Sequence, residues 1–136
     1  MGVQIVRPVI LVVEDVDTCA ETLEVALGGT LGLEVLLAST GLEAIRLLQE
    51  GKRSIGAVVT DLNMPIMDGY DLIRHIRNDQ RYMTLPVLVV SGETDPQASR
   101  RALDAGADAY FSKPYSPAQM RQKLEQLLNA KRASEL

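Results

Sequence analysis

The sequence predicts an α/β fold, a doubly wound parallel sheet with helices on both of its faces. Five short runs are apolar and rich in valine, as strands covered on both faces should be. Amphipathic helical patterns lie between these runs and after the last of them, and helix-capping residues fall at the joins. Strand and helix therefore alternate five times, which is the pattern of crossover-connected parallel strands.

The first run, Val9 to Val13, leads into Glu14-Asp15; Thr18 with Glu21 then fits a capping box, and Gly28 stands where the first helix should stop. Gly28 to Gly32 reads as a glycine-rich connection to the second run, Glu34 to Ala38. Thr40 with Glu43 caps the next helix, whose apolar face should carry Leu42, Ile45 and Leu48 and whose end should fall at Gly51. The third run, Ala57 to Thr60, is followed by Asp61, and Gly69 permits a tight entry into the third helix. That helix holds the only histidine, His75, which reads as a solvated residue. The fourth run, Pro86 to Val90, leads to Ser91-Gly92 and to a helix with Ala98, Ala102 and Ala105 on one face and Gly106 at its end. The fifth run, Ala109 to Phe111, leads to Ser112-Lys113-Pro114. Ser116 with Gln119 caps the last helix, Pro117 takes its first position, and Met120, Leu124 and Leu127 share a face. Met1 to Arg7 and Ala130 to Leu136 read as short tails, so that residues 1–136 form one domain with a core over about 8–129.

Composition narrows the function. With 46% hydrophobic and 24% charged residues the chain should pack a globular core rather than stay disordered. Its longest apolar run is too short to cross a bilayer and nothing resembles a signal peptide, so a soluble, cytoplasmic protein is expected. Cys19 is the only cysteine, which excludes an internal disulfide or a cysteine metal cluster. A formal net charge of −4 argues against direct attachment to a phosphate backbone, so nucleic acid is not an expected partner.

In open parallel sheets ligands bind beyond the carboxyl ends of the strands. Those ends place Glu14, Asp15 and Asp61 together with Ser91 and Lys113. Three carboxylates at one end of a sheet repel one another and call for positive charge. Mg²⁺ suits them, because it takes a few carboxylate oxygens and shares its other positions with water and phosphate. With one lysine and one hydroxyl added, the set suits a phosphoryl group whose charge is spread over three oxygens.

The Glu14-Asp15 pair, the segment from Asp61 through Asn63, Met64, Pro65 and Asp68 to Gly69, the Ser91-Gly92 pair and the segment Tyr110 to Pro114 together resemble the response-regulator receiver family of two-component signalling. The likeness runs from Val9 to Leu128, in order, and extends to the chemotaxis receiver, whose combination Asn63 and Glu93 resemble. It implies a flavodoxin-like (βα)5 fold with strand order 2-1-3-4-5, the order of the chemotaxis receiver. It implies Asp61 as phosphoacceptor, with Asp15, Asp61 and the Asn63 carbonyl on Mg²⁺ and Glu14 acting through water. Lys113 would pair with the phosphoryl oxygens, Ser91 would donate its hydroxyl to them, and Tyr110 would turn inward. The face of the fourth helix, fifth strand and fifth helix, including Arg101, Asp104, Tyr110 and Lys123, would then bind a partner or a second copy. A sensor histidine kinase or phosphotransfer protein would supply the phosphoryl group. The resemblance also implies a cis Lys113-Pro114 peptide, and Asn63 with Glu93 implies a short-lived phosphoryl group.

Gly92 and Tyr115 depart from the family's usual alanine and phenylalanine but remove no charge from the site. A Mg²⁺-dependent phosphohydrolase with an aspartate nucleophile is the main rival; it would need a second aspartate two residues after Asp61, where Asn63 stands and cannot act as general acid. A nucleotide-binding module would need a glycine-rich loop after the first strand, where Glu14 and Asp15 would repel phosphate. No output domain fits this length, leaving a single-domain regulator or a receiver within a larger protein such as a hybrid kinase.

Overall fold

The structure is a computed structural model that describes residues 8–31 and 33–134; the expected tail Met1 to Arg7, Gly32 and residues 135–136 lie outside it. Its elements run β1 (Val9–Val13), α1 (Asp17–Leu31), β2 (Glu34–Ala38), α2 (Gly41–Glu50), β3 (Ile55–Thr60), α3 (Gly69–Asn78), β4 (Val87–Ser91), α4 (Ala98–Ala105), β5 (Ala109–Ser112) and α5 (Pro117–Ser134). The five strands form one parallel sheet in the order β2-β1-β3-β4-β5. This is the flavodoxin-like arrangement that the resemblance implies.

Period-two alternation sends each strand's side chains to opposite faces. Leu11, Val13, Val58, Val87 and Val89 join the layer that packs with α2, α3 and α4, whereas Ile10, Val12, Ala57, Val59, Leu88 and Val90 join the layer with α1 and α5. In register, Val13 sits beside both Ala38 and Thr60, and Ser91 beside Ser112. The carboxyl ends of the strands therefore finish nearly level, and chain winding reverses between β1 and β3.

Several local readings need correction. The first helix begins at Asp17, so Thr18 lies inside it and is no N-cap; its carbonyl accepts from Thr22 Oγ1 at 2.8 Å. It also passes through Gly28 to Leu31 instead of leaving a glycine-rich connection. A helical glycine costs only about 1 kcal/mol, and the burial of Leu23 and Leu27 outweighs it. In α2 the Thr40 hydroxyl caps Glu43 N–H at 3.0 Å as expected, but the Glu43 carboxylate turns to Ser39. Leu42 is 53% exposed, because the cap sets a phase in which Gly41, Ala44, Ile45 and Leu48 face the core. The third strand starts at Ile55, ahead of the expected Ala57: Gly56 is taken up as an irregularity, with Val9 paired to Ile55 and Ile10 to Ala57 across a shift of register. Pro86 precedes β4 rather than opening it, lacking the N–H the ladder needs. Finally, α5 continues to Ser134, into the stretch read as a tail. Gly51 (φ 65°) and Gly106 (φ 120°) end their helices in the left-handed half of conformational space, as expected.

Candidate phosphoryl-acceptor site

The middle of the sheet sets the site. Glu14 N–H donates to Ala38 O at 3.0 Å and Asp61 N–H to Val13 O at 3.1 Å, so backbone pairing fixes both carboxylates just past the strand ends. Glu14 is only 2% exposed and Asp61 7%, while Asp15 is open to solvent. One carboxylate oxygen from each of the three lies within 4.8 Å of the others.

Lys113 arrives from the edge of the sheet. Its N–H donates to Ser91 O at 2.8 Å, the Lys113-Pro114 peptide is cis as expected, and its Nζ stands 3.2 Å from Glu14 Oε2 and 3.4 Å from Asp61 Oδ2. Burial works against the Lys113 charge, but the Asp61 and Glu14 carboxylates outweigh it and raise its pKa. Burial, reinforced by the charge of Asp61, pushes the Glu14 carboxyl above its usual range, and Lys113 offsets this only in part.

The loop after β3 orients Asp61. Its Oδ1 accepts from Leu62 N–H at 2.7 Å and Asn63 N–H at 3.4 Å, leaving Oδ2 toward Lys113. Gly69 N–H donates to Leu62 O at 2.9 Å, and a Cβ on Gly69 would stand 2.3 Å from the Asp61 carbonyl oxygen. No other residue fits there, a tighter requirement than the helix entry read from the sequence. Within the loop, Met67 N–H donates to Pro65 O at 2.8 Å across Ile66, which has φ 70° and is 92% exposed. This is a γ-turn of the rare, strained hand, and only the turn residues around it hint at its presence in the sequence.

Of the expected residues, Glu14, Asp15, Asp61 and Lys113 converge. Ser91 is fully buried at the end of β4, tied to Lys113 through the backbone, and its Oγ accepts from Glu93 N–H at 3.1 Å. Asn63 is exposed at the rim. Tyr110 lies half-buried on β5 beside Val89, apart from the acidic cluster. Cys19 lines a cleft of about 170 Å³ with Thr18, Thr22, Leu23, Lys113 and Tyr115, and His75 is exposed on α3.

Three carboxylates face a single ammonium, an excess of negative charge partly out of water. A small divalent cation fits that donor set, which consists of hard oxygens and includes one solvent-exposed carboxylate. No helix among the described residues is long and apolar enough to cross a membrane.

Known proteins share this sequence pattern and fold. The sequence matches the response regulator receiver domain family over residues 10–125. It is 35% identical over 120 residues to the chemotaxis protein CheY1 of Helicobacter pylori, across 88% of this chain and 95% of that one. Among solved structures, a response regulator receiver domain protein from Clostridium thermocellum superposes with a TM-score of 0.83 at 29% identity, covering 93% of this chain and 98% of that one. The signal receiver domain of a signal transduction histidine kinase from Syntrophus aciditrophicus superposes at 0.81 and 32% identity, covering 90% and 91%. Fold, strand order and the acidic pocket at the switch of the winding all agree with these likenesses, and the chain belongs to the response regulator receiver domain family of two-component systems.

Proposed function

We propose that Asp61 is the phosphoacceptor, and the observation that carries this reading is Lys113 Nζ standing between the Asp61 and Glu14 carboxylates at 3.4 and 3.2 Å. The backbone donors on Asp61 Oδ1 leave Oδ2 as the attacking atom. That oxygen attacks phosphorus, the phosphorus–nitrogen bond of a phosphohistidine breaks, its electron pair returns to the imidazole, and an acyl phosphate remains. Lys113 then exchanges a carboxylate partner for the new phosphoryl oxygens. Asp15, Asp61 and the Asn63 carbonyl would hold Mg²⁺, with Glu14 acting through water. The ion would supply charge neutralisation for the carboxylates and the incoming phosphoryl group.

Ser91 and Tyr110 act as the switch in this reading. The added charge draws the Ser91 hydroxyl away from Glu93 N–H and toward the phosphoryl group, and Tyr110 turns inward behind it. The surface of α4, β5 and α5 with Arg101, Asp104, Tyr110 and Lys123 then changes its fit to a protein partner or a second copy. Driving a 1:99 equilibrium to 99:1 takes about 5.5 kcal/mol of preference. Residues 8–129 act as one receiver unit in the cytoplasm, taking phosphoryl groups from a histidine kinase or phosphotransfer protein and turning over no external substrate. The phosphohydrolase alternative is not favoured, since Asn63 offers no proton to a leaving group.

Intact-mass measurement after incubation with acetyl phosphate and Mg²⁺ tests the assignment: wild type gains one phosphoryl group and Asp61→Asn gains none. A gain that persists in the variant would refute it. With Asn63 and Glu93 beside the site, the group should leave purified protein within minutes; survival for hours in the presence of Mg²⁺ would contradict that expectation.

A further inference from the structure

Tyr70, in the first turn of α3, is 8% exposed, and its hydroxyl is buried without a hydrogen-bond partner. Such a group forfeits its bonds to water and receives nothing in exchange. Its ring is held in place: the Arg101 guanidinium carbon sits 4.5 Å from the ring centroid, and Arg101 is itself 3.7 Å from Asp95 on the segment leading into α4. The ring packs in the same core layer as Ala98, Ala102 and Tyr110. Tyr110, Glu93 and Asp95 all lie within electrostatic reach of the hydroxyl. An orphaned polar group thus stands beneath the segment that must move if Ser91 leaves Glu93.

We propose that Tyr70 is a positioning residue of the switch, whose hydroxyl, orphaned in this conformation, pairs with the Tyr110 hydroxyl when that ring turns inward. The proposal rests on Ser91 and Tyr110 forming the switch and adds to it a built-in bias. An unpaired hydroxyl raises the free energy of the resting conformation, and its pairing lowers that of the phosphorylated one. Both effects act in the same direction.

Beryllofluoride, a non-covalent mimic of an acyl phosphate, provides the test. The full chain is titrated with it in the presence of Mg²⁺ as wild type, Tyr70→Phe, Tyr110→Phe and the double variant, and each is melted without it. Tyr70→Phe should melt no lower than wild type and bind beryllofluoride about tenfold more weakly, equivalent to ~1.4 kcal/mol. Tyr110→Phe should weaken binding as well, and the double variant should lose less than the two single losses combined. An unchanged or tighter Kd in Tyr70→Phe, a lower Tm for it, or additive losses would overturn the pairing. Wild type that does not bind beryllofluoride, or Asp61→Asn that binds it equally well, would overturn the phosphoacceptor reading and this one with it.

Discussion

The two ends of the sheet handle charge in opposite ways. At the carboxyl ends three carboxylates cluster, and the two that are largely removed from water share one ammonium. At the amino ends of β4 and β5, one guanidinium is almost fully satisfied. Arg77 Nε donates to Gly106 O at 2.9 Å, one terminal nitrogen to the carbonyls of Leu85, Met83 and Tyr82 at 2.7, 3.3 and 3.4 Å, and the other to Asp108 Oδ2 at 3.1 Å. Asp108 also accepts from Val87 N–H at 2.8 Å. One end therefore holds the fold together, while the other is destabilised in a way that a cation or a phosphoryl group can use.

That contrast can be broken from either side. The largest effect should come from Arg77→Met, which takes the donors from several carbonyls and leaves Asp108 with the Val87 N–H alone; with the Arg77 side chain only 19% exposed, chemical denaturation should show a loss of about 3 kcal/mol. Phosphorylation of Asp61 in the folded fraction should survive, and loss of it without loss of stability would mean that the two ends are not separate.

Glu14→Gln should act in the opposite sense and less strongly. Burial, aided by Asp61, holds the Glu14 carboxyl above its ordinary pKa, so near neutral pH the folded state pays to keep it ionised. As pH falls from neutral through the raised folded pKa, the folded state takes up a proton before the unfolded one does, and stability rises. It levels off once the unfolded carboxyl protonates too. Metal-free wild type should therefore melt higher as pH falls from neutral toward the ordinary carboxylate range, and Glu14→Gln should flatten that slope and raise the neutral-pH Tm; a wild-type slope of the other sign would contradict the site's electrostatics. The Lys113 pKa is raised, so its contribution is fully present throughout this window and is lost only at strongly alkaline pH.

Smallest of all should be Ile66→Gly. A β-branched residue at φ 70° is strained, and its side chain is exposed, so the substitution should raise stability by about 1 kcal/mol. No gain in thermal unfolding would mean that the loop relaxes around Ile66 at no cost.

The acidic end was far more legible in the sequence than the clamped end. Strand cores announce themselves as apolar runs, and Glu14, Asp15, Asp61 and Lys113 each stand within two residues of the end of one, so the fold rule that places ligands at strand ends also placed these residues. Arg77 carries no such mark. Its partners are mostly main-chain carbonyls far along the chain, and a backbone acceptor has no residue type to read. Leu42 and Gly28 misled for a related reason: apolar spacing is indifferent to which of two adjacent phases a cap selects, and a glycine does not stop a helix whose preceding turns, here with Leu23 and Leu27, are firmly buried. Nothing in the sequence marks Tyr70 either, since its orphaned hydroxyl becomes visible only once its surroundings are known.

The Arg77 clamp also constrains what α4 can do. Its grip on the Gly106 carbonyl pins the helix at its last turn, whereas the opposite tip begins at Gln97 with no side-chain cap. A rod of eight residues spans about 12 Å, so a rocking of roughly 10° about the pinned turn would swing its amino end by about 2 Å. If Ser91 acts as the proposed switch, the fulcrum lies at one rim and the longest throw at the other, on the side of the segment that follows Ser91, where a small local pull would become a displacement large enough for a neighbouring surface to sense.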